Sequence, residues 1–225
     1  MSSPEPLLPA RRYGRYVGLV ALVILVLISI NTALTKPNGV RGIEPGHRVP
    51  PFAAPLALGN VKGDVNVATH ANEGSAGRRP ACEVRGPGIL NVCELYEHRP
   101  LVLVLFVNAG SCPGVLARMQ TLAGEFPRVA FAGVALKGDR SELRRLVLKR
   151  GLTEVQVGYD EDGVLLTMYK MASCPQVSFV LPGGVVQSPA LLSQPTLGEL
   201  RARVRELLAA ARARGYERPG KRSGR

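Results

Sequence analysis

Hydrophobic positions change period several times along this chain, and each change marks an element. Residues 17–34 read VGLVALVILVLISINTAL, apolar on every helical face and without a charge. That length approaches the ~20 residues needed to cross a bilayer and predicts one transmembrane helix. Residues 35–46 follow with Pro37, Gly39, Gly42 and Pro45, the punctuation of a linker. Residues 69–80, with Asn72, Gly74, Ser75, Gly77 and Pro80, read as a surface loop. Residues 101–107 form a continuous branched and apolar run, which predicts a strand buried on both faces. Then the period lengthens: Val115, Leu116, Met119, Leu122, Ala123 and Phe126 recur at three- and four-residue spacing, an amphipathic helix closed by Pro127.

The alternation repeats. Residues 129–136 are strand-like, and Asp139 with Glu142 makes a capping-box pattern ahead of Leu143, Leu146 and Val147, with Gly151 as the stop. Residues 155–159 predict a strand, Asp160-Glu161-Asp162-Gly163 a turn, and residues 164–169 a short helix. Pro182-Gly183-Gly184 between two apolar runs signals an antiparallel hairpin. Thr196 and Glu199 open a last helix that carries Leu197, Leu200, Val204, Leu207, Leu208 and Ala211 on one face and ends at Gly215. Three strand-helix units, a hairpin and a helix predict an α/β domain with a mixed central sheet flanked by helices.

At 225 residues there is room for one substantial domain besides the flanking segments. The expected layout is a cytoplasmic N-terminus (1–16), a transmembrane helix (17–34), a linker (35–45), the α/β domain (46–211) and a basic disordered tail (212–225). Arg11, Arg12 and Arg15 precede the span, so the positive-inside rule places the domain outside the cytoplasm. A cleaved signal peptide is the alternative, against which Asn31 and Ala33 make a poor cleavage site. The net charge of +12 would favour nucleic acid in a cytosolic protein, but export removes that partner. A solvated helix face with a frayed tail accounts for the Arg-rich C-terminal end, and contact with anionic headgroups or envelope polymers is the alternative.

Export makes disulfides permissible for the four cysteines, Cys82, Cys93, Cys112 and Cys174, with three arithmetical pairings. There is no C-x-x-C, and His47, His70 and His98 lie outside ligand spacing, so neither a metal nor another cofactor is expected. Cys112 falls between the buried strand and the first amphipathic helix. A cysteine on the first turn of a helix meets free backbone N–H groups and the positive end of the dipole, which favour the thiolate. Gly86-Pro87-Gly88 lies between Cys82 and Cys93, so the segment can fold back as a hairpin would and close a structural disulfide worth about 3 kcal/mol. Two free thiols are the alternative, and exchange of this pair with Cys112 a third. Tyr159, Asp160 and Asp162 read as turn chemistry, Glu125 as solvated and His98 as exposed.

Four segments carry a family resemblance. Gly46-His47-Arg48-Val49-Pro50-Pro51-Phe52, residues 102–115, Val157-Gly158-Tyr159-Asp160-Glu161-Asp162-Gly163 through Tyr169, and Ser173-Cys174-Pro175-Gln176-Val177-Ser178-Phe179-Val180 resemble the thioredoxin-like superfamily, in its membrane-anchored redoxin or TlpA-like branch. The resemblance covers residues 46–210 and implies a thioredoxin-like fold. The active-site pattern departs from the family's: Ser111 stands where Trp is usual, and Val115 where the second cysteine belongs. Dithiol exchange through C-x-x-C is therefore excluded.

The resemblance further implies that Pro175 is the cis-proline and that Cys174, before it, faces Cys112. A disulfide would also need Cα atoms roughly 4.4–6.8 Å apart. On this reading Cys112 is the attacking thiolate and Cys174 its partner. Pro175, Ser173 and Pro113 shape a groove for an extended client, so the partners are extracytoplasmic protein thiols or disulfides. An inert disulfide or buried thiols remain open, as does a noncatalytic thioredoxin-like binding module. A peroxiredoxin-like thiol peroxidase is disfavoured, because Leu105 and Ala109 stand where that loop carries proline and a hydroxyl residue.

Overall fold

The computed structural model describes residues 10–34, 42–61 and 79–216. Most of the expected linker, the 69–80 loop up to residue 78 and the tail from residue 217 lie outside them. The chain separates into two units, Met1–Gly39 and Val40–Arg225. In the first, one helix, α1, runs over Ala10–Leu34. Its side chains are described from Tyr16 to Ile30, and the large apolar ones, among them Val17, Leu22, Ile24 and Leu27, are exposed. Among the described residues no helix is long and apolar enough to cross a membrane; residues 31–34 of the expected span lie beyond the described side chains.

The second unit is built on a mixed five-stranded sheet. Two short strands come first, β1 (Ala53–Pro55) and β2 (Ile89–Asn91), paired antiparallel outside that sheet, and α2 (Val92–Glu97) follows. Then come β3 (Leu101–Phe106), α3 (Gly114–Glu125), β4 (Ala130–Leu136), α4 (Arg140–Lys149), β5 (Gln156–Asp160), α5 (Val164–Met168), β6 (Gln176–Val180), β7 (Val186–Leu191) and α6 (Leu197–Ala213). The strand order is β5-β4-β3-β6-β7, parallel from β3 through β5 and antiparallel at β6 and β7. The crossover helices make the first pairs parallel, and the Pro-Gly-Gly turn makes the last antiparallel.

Every residue of β3 is buried, and its alternation deals them to two cores. Val102, Val104 and Phe106 pack with Leu116, Met119 and Leu122 of α3 and Leu200, Val204 and Leu207 of α6. Leu101, Leu103 and Leu105 pack on the other face with Phe52, Leu90, Leu165 and Tyr169. Gly133 of β4 lets α3 approach closely: a Cβ there would stand 2.8 Å from Leu116 Cδ2 and 3.1 Å from Val104 Cγ1.

Two expectations are corrected. The segment around Cys82 and Cys93 is not a hairpin closing on itself: Cys82 lies in a single 3₁₀ turn (Ala81–Glu83), Cys93 in α2, and β2 pairs with β1 instead. Asn91 organises that region by accepting from Cys93 N and Glu94 N and donating to the carbonyls of Ala81 and Val84. Cys112 precedes α3, whose N-cap is Pro113, and so sits just ahead of the first turn. Glu125 is exposed, as expected, and its carboxylate also accepts two 2.7 Å hydrogen bonds from Arg201 of α6.

Candidate functional site

The register of β3 against β6 builds the site. Their ladder ends with Leu105 opposite Gln176, so the next residues of β3 run out beside Pro175 and Cys174. There the backbone N–H of Val107 donates to Cys174 Sγ at 3.1 Å. The Cys174–Pro175 peptide is cis. From β3 the chain turns through residues 108–113, and Cys112 N donates to Ala109 O at 3.3 Å. Cys112 and Cys174 are joined by a disulfide, with Cα atoms 5.6 Å apart.

The two sulfur residues differ in setting. Cys112 is 6% exposed and belongs to the core cluster with Val115 and Leu116, whereas Cys174 is exposed and Pro175 buried. Ser173 is half-buried and its hydroxyl donates to Leu192 O. Pro113 is buried, and its carbonyl accepts from Arg150 Nη1 at 3.2 Å.

A side chain with no signal in the sequence braces the turn. Gln194, between β7 and α6, donates through Nε2 to Ser111 O at 2.8 Å and Cys112 O at 3.3 Å, while its Oε1 accepts from Arg118 Nη1 of α3. Gln194 lies 82 positions from Cys112, in no motif and in no hydrophobic period. With Arg150 on the neighbouring carbonyl, the loop that presents Cys112 is held from two other elements.

The fold as a whole has counterparts among solved structures. A protein assigned as a protein disulfide isomerase from Bacteroides thetaiotaomicron is similar over 78% of this chain and 96% of its own, at 11% identity and a TM-score of 0.55. One assigned as a thiol:disulfide interchange protein DsbE, from Chlorobium tepidum, is similar over 75% and 98%, at 13% identity and 0.54. The thioredoxin domain of a thiol-disulfide oxidoreductase from Bacteroides vulgatus is similar over 73% and 97%, at 10% identity and 0.52. This is a thioredoxin-like fold. No protein-family model matches the sequence, and no curated protein does. Identities this low carry the fold, and the chemistry of the thioredoxin-like domain rests on its own residues.

The other cysteine pair stands apart from this site. Cys82 and Cys93 form a second disulfide, with Cα atoms 5.4 Å apart, which staples the 3₁₀ turn to α2. Asp160, wholly buried, spends its carboxylate on capping: Oδ1 accepts from Gly163 N and Val164 N, and Oδ2 from Leu165 N. His98 is exposed at the end of α2. Among the described residues no group of three or more His, Cys, Asp or Glu is placed to hold a metal ion.

Proposed function

We propose that the protein is a thiol-disulfide oxidoreductase that works through the Cys112–Cys174 pair, anchored to a membrane by α1 with its thioredoxin-like domain outside the cytoplasm. One observation carries the reading: a cysteine ahead of α3 and a cysteine before the cis-proline are bonded to each other, and one of them faces solvent. Exchange needs both features, a dithiol that can close and a sulfur that a client can reach. The pair replaces the absent C-x-x-C. Pro175 and Ser173 border the place where an extended client would lie, and Pro113 the opposite side. Similarity to proteins whose names are those of thiol-disulfide oxidoreductases supports the same class.

The anchor reading is supported by the exposed apolar side chains along α1 and by Arg11, Arg12 and Arg15 before them. Resistance of the membrane-bound chain to carbonate extraction checks it; release into the soluble fraction refutes it.

The enzymatic reading is checked with the full chain in detergent, by insulin reduction in the presence of dithiothreitol. The native chain is expected to exceed Cys112→Ser and Cys174→Ser, both at background. Equal background rates in all three would leave a noncatalytic binding module, the reading that Val115 in place of a cysteine favours.

A further inference from the structure

We infer that Cys174, not Cys112, is the sulfur that exchanges with a client, and that the backbone N–H of Val107 holds the charge that passes through it. This rests on the oxidoreductase reading above and reverses the order that the sequence alone suggested. The geometry that decides it is access. A thiolate attacks a disulfide from behind the sulfur it bonds to, so the attacked sulfur must be open on that side. Cys112 is 6% exposed and belongs to the buried core cluster with Val115 and Leu116. Cys174 is exposed.

Electrostatics point the same way. The β3–β6 ladder stops at Leu105–Gln176, and the Val107 N–H beyond it goes to Cys174 Sγ at 3.1 Å. A hydrogen bond donated to a thiolate favours the charged form. Cys112, displaced as the leaving group, sits ahead of the N-terminus of a 12-residue helix, where the dipole stabilises negative charge.

In the oxidising direction, a client thiolate bonds to Cys174 Sγ and the Cys112–Cys174 bond breaks, leaving Cys112 as a thiolate that takes a proton from solvent. A second client thiolate then attacks the client sulfur of the mixed disulfide and releases Cys174 as a thiolate onto the Val107 N–H. The client loses two electrons and the domain gains them. In the reverse direction the Cys174 thiolate attacks a client disulfide, and Cys112 resolves the mixed disulfide within the fold.

The test uses the full chain in detergent. With 5,5′-dithiobis(2-nitrobenzoate) as probe, Cys174 in Cys112→Ser should react at least about tenfold faster at neutral pH than Cys112 in Cys174→Ser. Its rate should titrate with a midpoint below the ~8.5 of a free thiol. Because either variant could perturb the fold, the native oxidised chain is also treated with reduced glutathione, quenched with acid and digested; glutathione should be found on Cys174. Glutathione on Cys112, or a faster Cys112, overturns the assignment alone. A Cys174 midpoint at or above the free-thiol value overturns the role of Val107. No exchange at either sulfur overturns the assignment together with the oxidoreductase reading.

Discussion

Gln194 Nε2 donates to Ser111 O at 2.8 Å and so ties the loop after β7 to the turn that carries Cys112. The same amide reaches Cys112 O, and its oxygen is held by Arg118. One neutral side chain thus bridges three segments at the edge of the disulfide. Gln194→Ala is expected to cost about 1–2 kcal/mol, the usual worth of such bonds, or roughly 2–4 °C per kcal/mol in a domain of this size. Backbone amide exchange should quicken in the 110–116 turn and little elsewhere; an unchanged turn would count against the brace.

The two disulfides should separate by function. Cys82 and Cys93 close 11 positions, and Cys112 and Cys174 close 62. Chain entropy then assigns about 3 kcal/mol to the first and about 4 kcal/mol to the second. The double replacement of Cys82 and Cys93 by Ser should lower denaturant stability by about the first amount yet leave insulin reduction near the native rate. Loss of that activity without unfolding would place Cys82 and Cys93 in the chemistry instead.

Glu125 and Arg201 join α3 to α6. The Arg201 hydrogen bonds hold the Glu125 carboxyl below its ordinary 4.5. A carboxylate depressed in the folded state stabilises above its unfolded pKa, and that stability is lost as pH falls through the folded value. Native chain should therefore exceed Glu125→Gln in urea midpoint at pH 7, with the gap closing in the acid range below 4.5. A gap of the same size at pH 3 would contradict the ion pair as its source.

Tyr169 is fully buried, stacks edge-on to Phe52 and donates its hydroxyl to Pro50 O at 2.7 Å. Burial, with Tyr96 nearby, raises its pKa well above 10.0. The folded state then keeps a proton that the unfolded chain gives up, so stability is complete below pH ~10 and is lost as pH rises from there toward the folded value. Tyr169→Phe should cost about 1–3 kcal/mol at neutral pH by leaving the Pro50 carbonyl without its donor. The deficit should shrink above pH 10, as followed by circular dichroism; a constant deficit would refute it.

Long periodic segments were legible in the sequence, as were the five-residue β5, α5 and β6 beside their turn signals, whereas β1, β2 and α2 were not. The runs of β3 and β4 and the stripes of α3 and α6 bury enough apolar surface for their pattern to declare them. The Asp139 and Thr196 caps appeared from residue type, and both accept from the expected backbone N–H groups. By contrast, β1 and β2 span three residues each, too few for any period, and α2 depends on the Asn91 cap and on packing rather than on a stripe. Glu125 and Arg201 were equally opaque, because nothing in either helix alone says that the two faces meet.

The chemistry divides along the same line. Local residue order by itself determined an α/β domain, a cysteine between a buried strand and a helix, and a cysteine-proline pair ahead of the hairpin. Only the tertiary structure decided that these cysteines bond, which of them is open to solvent, and that Val107 and Gln194 attend them. The reason is physical: those facts depend on the register of β3 against β6 and on what α3 and the loop after β7 cover. Both are set by long-range packing between segments whose own patterns carry no trace of it.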